Sequence, residues 1–428
     1  MRRIDWQRKI CIPVLCFAVL LAGCSKGNST SSQKGGKNAE AGSSDESSSG
    51  SEEKNADTGK AGTVDDSRLV SGMQEEKLDL SKYGLGYVAA TDAQPEYLWT
   101  SVARAENGYY MWENSSTDRR LMYFDAASKS YIPLCNKPNC SHDSESCNAF
   151  FNSNGEGEVD YLRSYIQYYD GCVYVAGHDE EGYVYLYKAA PDGSACKKYM
   201  TLYKADLSSA KAEGENVKEF HLPNICIHRG YVYFIIGHES SLRLRRMKLG
   251  GDDVEIVFEN AGSRPSLYRM QAYGDYLFFQ SGNFIDDDCV DIEAGIFALN
   301  VNTAKVQMVK KDAVSGFTVA DGSLYYTTAS GINRYSLEKQ EDTNVVDTGV
   351  RGDVAVHGEF IYFFCDDTYT LSQYDSEGKL LNKVTDADFD TCLMGDADCF
   401  FASGSGKAGI LSVKELSKGT AKWTSLGE

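Results

Sequence analysis

One short unit recurs seven times along the chain: a tight turn containing glycine, followed by a run of aromatic and β-branched residues. The turns are Asn107-Gly108, Asp170-Gly171, Arg229-Gly230, Gly274-Asp275, Asp321-Gly322, Gly358-Glu359 and Gly395-Asp396. Glycine supplies the positive φ that two-residue hairpin turns require, so each unit predicts a β-hairpin. The first and last turns are 288 residues apart over six intervals, a mean spacing of 48 residues.

A second strand–turn–strand segment follows in each unit, as in "LYKAAPDGSACKK" and "LSQYDSEGKLLNKV". Four strands per unit at this spacing are typical of a propeller blade, a sheet that buries its faces only against its neighbours. We therefore predict an all-β fold, a β-propeller of seven four-stranded blades over residues 84–428. Six or eight blades are the alternative counts, and a pair of β-sandwiches is the alternative fold. Residues 97–105 and 421–425 supply the first and last strands, which closes the ring without an exchanged strand.

The N-terminus has the features of an export signal. Basic residues precede an apolar run at residues 10–22, which is too short to span a bilayer but suits a secretory signal core. The run ends in Leu-Ala-Gly-Cys, which resembles the lipobox where bacterial lipoprotein signal peptidase cuts before a lipidated cysteine. We predict a lipoprotein signal peptide at residues 1–23, a lipid on Cys24, and an extracytoplasmic protein anchored in the membrane of a Gram-positive bacterium. The alternative is a secreted protein with a coincidental cysteine.

Residues 24–80 are predicted to be the lipidated cysteine and a low-complexity flexible linker. Ser, Gly, Asn, Glu and Lys dominate the segment, and such a composition buries too little apolar surface to fold. A tether of this length averages roughly 40 Å from end to end. Removal of the signal peptide takes away four basic residues and one acidic residue, changing the formal charge from −19 to −22. A surface this acidic repels phosphates, so we expect no nucleic-acid partner.

The segment "PLCNKPNCSHDSESCNAF" places Cys135, Cys140, His142 and Cys147 within thirteen positions. Three cysteines and a histidine are a ligand set for tetrahedral zinc, although the C-x2-C pair of a zinc knuckle is absent. Ten of the thirteen cysteines remain after signal removal and lipidation, and exported proteins tolerate disulfides. Zinc, a disulfide and an unmodified loop are therefore three alternatives. We predict the segment in the crossover between blades one and two, opposite the glycine-containing turns.

Cys392 and Cys399 flank the last glycine-containing turn. A two-residue turn at Gly395-Asp396 would place them opposite each other, as a possible disulfide or as two buried thiols. The D-x-D-x-D run at residues 386–390 resembles the start of a calcium loop. It lacks the glycine at the sixth position and the glutamate at the twelfth, so we expect no calcium there.

The loops that join the second and third strands of the predicted blades are rich in acids. These residues are Asp179, Glu180, Glu181, Glu239, Asp286, Asp287, Asp288, Asp291, Asp366 and Asp367. Loops on a rigid scaffold often carry binding sites, whereas the alternative is an ordinary solvated face.

The blade pattern resembles the TolB-like and lipoprotein-receptor-like propellers of bacterial surface lipoproteins, over the whole region after the linker. The cysteine motif is similar to one in uncharacterised propeller lipoproteins of Gram-positive bacteria. The resemblance implies fold and location and gives no catalytic residues. We predict a membrane-anchored binding module for a peptide, glycan or protein partner. The alternative is a secreted hydrolase that acts on carbohydrate or peptide with two propeller carboxylates.

Overall fold

The computed structural model describes residues 73–86, 101–113, 119–144, 146–151, 165–179, 181–204, 224–238, 241–262, 264–284, 292–313, 316–365, 367–386, 388–389, 391–404 and 407–426. Consecutive strands in these ranges form seven antiparallel sheets, each containing a path of four neighbouring strands. The predicted seven-bladed β-propeller is therefore confirmed. No helix in these ranges has the length and apolar character needed to cross a membrane.

The first four blades are assigned as follows. Blade one contains β1 (Val102–Arg104), β2 (Gly108–Trp112), β3 (Arg119–Asp125), β4 (Tyr131–Pro133) and β5 (Phe150–Phe151). Blade two contains β6 (Ile166–Tyr169), β7 (Cys172–His178), β8 (Tyr183–Ala189) and β9 (Cys196–Lys204). Blade three contains β10 (Ile225–His228), β11 (Tyr231–His238), β12 (Ser241–Lys248) and β13 (Val254–Asn260). Blade four contains β14 (Pro265–Tyr273), β15 (Tyr276–Phe284), β16 (Ile292–Asn300) and β17 (Val306–Lys311).

The last three blades complete the ring. Blade five contains β18 (Phe317–Ala320), β19 (Ser323–Thr327), β20 (Gly331–Ser336) and β21 (Asp342–Asp347). Blade six contains β22 (Asp353–His357), β23 (Phe360–Cys365), β24 (Thr370–Asp375) and β25 (Leu380–Thr385). Blade seven contains β26 (Thr391–Gly395), β27 (Cys399–Gly404), β28 (Lys407–Ser412) and β29 (Thr424–Ser425), with helix α1 (Val413–Leu416) between β28 and β29.

Burial decreases from the first strand of a blade to the last. All four residues of β10, the first strand of blade three, are buried, whereas β13, the last strand of the same blade, begins with three exposed residues. An inner strand is covered on both faces by adjacent blades, so it requires a continuous apolar run. The core consists of apolar layers between blades: Phe258 of blade three packs against Phe279 and Phe297 of blade four, with ring centroids 5.0 and 5.1 Å apart.

The glycine-containing turns form two-residue hairpins in blades two to six. Asp170 and Gly171 both have positive φ, 47° and 70°, as a type I′ turn requires. In blades one and seven the turn lies at other residues. The Ala105 amide donates to the Gly108 carbonyl at 2.8 Å and the Asp396 amide donates to the Cys399 carbonyl at 3.0 Å, so the turns are centred on residues 106–107 and 397–398. The predicted turn positions, Asn107-Gly108 and Gly395-Asp396, are therefore wrong for these two blades.

The seam between blades seven and one closes the ring through side chains. Asp396 accepts hydrogen bonds from the Arg104 guanidinium at 2.9 Å and from the Tyr109 hydroxyl at 2.8 Å. The rings of Tyr109 and Phe401 pack with their centroids 4.7 Å apart. Within the described strands each blade is built from one continuous stretch of chain, and β29 pairs with β28 as predicted.

Residues 73–86, here named the N-terminal strap, pack against blades four and five. The backbone amide of Glu76 donates to the Met308 carbonyl at 2.8 Å, and Leu78 is buried in the apolar layer between these two blades. The backbone amide of Gly84 donates to the Asp275 carboxylate at 2.7 Å. Part of the segment assigned to the linker from its composition, residues 73–80, therefore lies against the propeller.

Candidate metal centre

The cysteine-rich segment interrupts the outer strand of blade one. Both β4 and β5 pair with β3, so together they form one outer strand with a long excursion between them. Leu121 of β3 accepts a hydrogen bond from the Leu134 amide and donates one to the Ala149 carbonyl, both at 2.8 Å. The prediction that the segment lies in the crossover to blade two is therefore wrong: it is an insertion within a strand, here named the cysteine excursion (residues 134–149).

The cysteine excursion brings the four predicted ligand residues to one point. One donor atom from each of Cys135, Cys140, His142 and Cys147 lies within 4.8 Å of all the others. The Nδ1 atom of His142 is 3.2 Å from the sulfur of Cys147. All three cysteines are free thiols; Cys147 is buried and the other two are half-buried.

Two left-handed residues shape the excursion around these ligands. Asn139 and His142 have φ values of 58° and 60°, a region that non-glycine residues seldom adopt. They lie on either side of Cys140, so the chain reverses tightly and returns the Cys140 thiol and the His142 imidazole to the same side. Such a conformation persists only where surrounding contacts stabilise it.

Blade two supplies those contacts through the turn between β8 and β9. The Gly193 carbonyl accepts hydrogen bonds from the Asn148 side-chain amide at 2.8 Å and from the Asn136 backbone amide at 3.2 Å. Gly193 has φ +73°, and a Cβ added there would lie 2.6 Å from the Cys135 nitrogen. This turn lies on the same side of the blade as the first hairpin turn, so the predicted placement opposite the glycine-containing turns is also wrong.

The surroundings shift the pKa values of Cys147 and Cys135 in opposite directions. Burial raises the pKa of the Cys147 thiol to about 12, even though the Ala149 amide donates to this sulfur at 3.3 Å. Burial also opposes ionisation of Cys135, but hydrogen bonds from the backbone of Lys137 and Asn148 outweigh it and lower the pKa of that thiol. The half-buried Cys135 thiol is thus the more readily ionised of these two.

The second cysteine pair, Cys392 and Cys399, lies in two different apolar layers and does not face across the strands: Cys392 packs toward blade six and Cys399 packs toward blade one. Cys392 is opposite Ala402, and Cys399 is at the start of β27, because the turn is displaced to residues 397–398 and the pairing shifts after Cys392. Both thiols are buried and neither is in a disulfide, and burial raises the pKa of Cys399 to about 12. The predicted cross-strand pairing of Cys392 with Cys399 is therefore wrong, and buried thiols are what the structure contains.

Three of the predicted acidic loop residues lie in the described part of the chain. Asp179 stabilises its own loop: it accepts hydrogen bonds from the Tyr183 amide at 3.0 Å and the Tyr185 hydroxyl at 2.7 Å. Glu181 and Asp367 are exposed. The predicted residues outside the described part are Cys24, Glu180, Glu239, Asp286, Asp287, Asp288, Asp291 and Asp366.

The hydrolase alternative requires two carboxylates facing the centre of the ring. Among the described first strands, β1, β6, β10, β14, β18, β22 and β26, Asp353 is the single acidic residue. It forms an ion pair with Arg269, a left-handed residue at a bulge in β14. The described first strands therefore do not supply the second carboxylate that glycoside hydrolysis at the centre of the ring would need.

Neither a protein-family model nor a curated protein sequence matches the chain. Several solved structures are similar in fold. A puromycin hydrolase is 13% identical with a TM-score of 0.49, over 80% of this chain and 56% of that one. BamB from Moraxella catarrhalis is 11% identical with a TM-score of 0.39, over 78% of this chain and 87% of that one. Sqt1 from Saccharomyces cerevisiae is 10% identical with a TM-score of 0.44, over 78% of this chain and 87% of that one. This chain thus spans little more than half of the hydrolase.

Proposed function

We propose that this protein is a lipid-anchored, extracytoplasmic β-propeller that binds a peptide, glycan or protein partner. The closed ring of seven blades is the observation that carries the proposal, because a rigid scaffold displaying loops on two faces is a common basis for binding. The binding face is the one formed by the loops between second and third strands. Glu181 and Asp367 are exposed on it, and its acidity favours a partner that presents cationic groups.

The anchor is supported by the order of features at the N-terminus. A basic start, an apolar run of 13 residues and the Leu-Ala-Gly-Cys sequence precede a polar segment. Lipidation of Cys24 would hold the chain at the outer face of the membrane, and the linker would let the propeller reach partners beyond the surface.

Cell fractionation tests the anchor. Wild-type protein is expected in the membrane fraction, and the Cys24→Ala variant is expected in the medium or the soluble fraction. Labelling with a clickable fatty acid is expected for the wild type and not for the variant. Recovery of the variant with membranes, or an unlabelled wild type, would rule out lipidation at this residue.

Site-specific photo-crosslinking on intact cells tests the binding face. A photoreactive residue replaces Glu181 or Asp367 on the proposed face, and Glu377 serves as the matched control. Glu377 is also exposed but lies in the turn between β24 and β25, at the opposite end of the blade. A discrete adduct from Glu181 or Asp367 and none from Glu377 is the expected result. The same adduct pattern from all three positions would contradict binding on this face.

A further inference from the structure

We infer that the cysteine excursion is a structural zinc site in which Cys135, Cys140, His142 and Cys147 supply all four ligands. The inference is independent of any partner and goes beyond the proposed function. It depends on the convergence of these four donor atoms within 4.8 Å of one another.

The dimensions of the cluster fit a tetrahedral ion. With Zn–S distances of about 2.3 Å and Zn–N distances of about 2.0 Å, neighbouring ligand atoms lie about 3.5–3.8 Å apart. His142 Nδ1 lies 3.2 Å from Cys147 Sγ, and none of the separations between the four donor atoms exceeds 4.8 Å. Closure onto an ion therefore needs small side-chain movements, with no rearrangement of the backbone.

The position of the histidine argues against a disulfide. A disulfide would join two sulfurs and would place no requirement on the third cysteine or on the imidazole. Here all three thiols are free, and His142 holds a left-handed backbone that brings its ring into the cluster. A loop with no ligand would not need this combination of four converging groups.

The donor set selects the metal. Three thiolates and an imidazole are soft and borderline ligands, which favour zinc over calcium or magnesium. Each thiol releases its proton to solvent on binding, so the centre carries a net charge of −1 with a neutral imidazole. Because the protein fills all four positions, no site remains for water or substrate, which is the pattern of a structural site.

The placement explains what the ion would stabilise. The excursion separates β4 from β5, and its contact with blade two is made through Gly193. Cys147 belongs to the apolar layer between blades one and two. An ion held by residues near both ends of the excursion would fix the two halves of the outer strand in register along β3.

Metal analysis of the full chain, purified without added metal or chelator, tests the inference. About one zinc per chain is expected in the wild type, and near zero in Cys135→Ser and Cys140→Ser. These two ligands are half-buried, so their variants are better suited to the test than variants of buried Cys147. The control is Cys172→Ser, a half-buried cysteine on β7 outside the cluster, which is expected to retain the zinc.

Cobalt substitution gives a readout that does not depend on the stability of a variant. Co²⁺ in the wild-type site should show the visible bands of tetrahedral coordination together with sulfur-to-metal charge transfer. His142→Cys should retain the metal with stronger charge transfer, whereas His142→Ala should bind it much more weakly. A wild-type chain with free thiols and no metal, a disulfide within the cluster, or zinc retained in both serine variants would overturn the inference.

Discussion

Asp396 is expected to be the residue on which closure of the ring depends most. It is 7% exposed, and its carboxylate accepts hydrogen bonds from the backbone amides of Asp398 and Cys399 at 2.7 and 2.9 Å. It also accepts from Arg104 and Tyr109 across the seam. Asp396→Ala therefore leaves two amides in blade seven and a buried hydroxyl in blade one without their acceptor.

The cost can be worked out from these contacts. A buried hydroxyl left without a partner costs about 1–3 kcal/mol, and each lost amide hydrogen bond costs about 1 kcal/mol. The Arg104 side chain is 41% exposed, so its ion pair adds less than about 1 kcal/mol. Asp396→Ala should lower the free energy of unfolding by about 4 kcal/mol. Asp398→Ala, the matched control, removes only an ion pair of a side chain that is 64% exposed and should cost at most about 1 kcal/mol.

Urea unfolding followed by tryptophan fluorescence measures this difference. Trp112 is buried in blade one and Trp423 is buried in blade seven, so both report on the blades that meet at the seam. Hydrogen exchange should also show faster opening of β2 and β27 in Asp396→Ala than in Asp398→Ala. Equal losses of stability in the two variants would refute the assignment of ring closure to the Asp396 carboxylate.

Three further perturbations follow from individual contacts. Burial lowers the pKa of His357 to about 4, below its unfolded value of about 6.5, so the folded state binds fewer protons between these pH values. The free energy of unfolding should therefore fall as the pH drops through this window, by about 2 kcal/mol at pH 5. Urea titrations at several pH values measure this dependence, and His357→Phe should remove it. Gly193→Ala should lower the free energy of unfolding in urea by about 2–3 kcal/mol, because the added Cβ would clash with the cysteine excursion. Gly171→Ala is the control: φ is also positive there but the surrounding space is open, so the loss should be about 1 kcal/mol. Leu78→Ala should lower the free energy of unfolding by about 2–4 kcal/mol and speed proteolysis of the N-terminal strap, because Leu78 is buried. Lys77 is exposed, so Lys77→Ala should change neither quantity.

The blade count was predictable because the glycine-containing turns recur at a regular spacing and strand alternation follows each of them. The position of the turn was less predictable. Gly274-Asp275 and Gly395-Asp396 have the same two residues, yet the first pair is the turn itself, whereas the second pair precedes a turn centred on residues 397–398. The Asp396 side chain accepts hydrogen bonds from the amides of Asp398 and Cys399, which places Asp396 before the turn. Both sites have the same residue types, so those types alone did not distinguish the two positions.

The ligand residues of the candidate zinc site were predictable from their types and spacing, but their location was not. The outer strand of blade one resumes at β5, whose two described residues are both Phe and show no alternating pattern. The hydrogen bond from Asn148 to the Gly193 carbonyl, which holds the cysteine excursion against blade two, was not predicted either. The sequence around Gly193 indicates a turn, but its contact with the cysteine excursion exists only once blades one and two are adjacent.

The position of the N-terminal strap has a mechanical consequence. The strap packs against blades four and five, whereas the seam lies between blades seven and one, on the opposite side of the ring of seven blades. A pull on the N-terminal segment is therefore resisted first by the hydrogen bonds and ion pairs that join Glu75 and Glu76 to β17 and its neighbours. A ring closed by side chains opens most readily under tension across its seam. Attachment at the opposite side directs that tension into blade four, whose strands are among the longest in the ring.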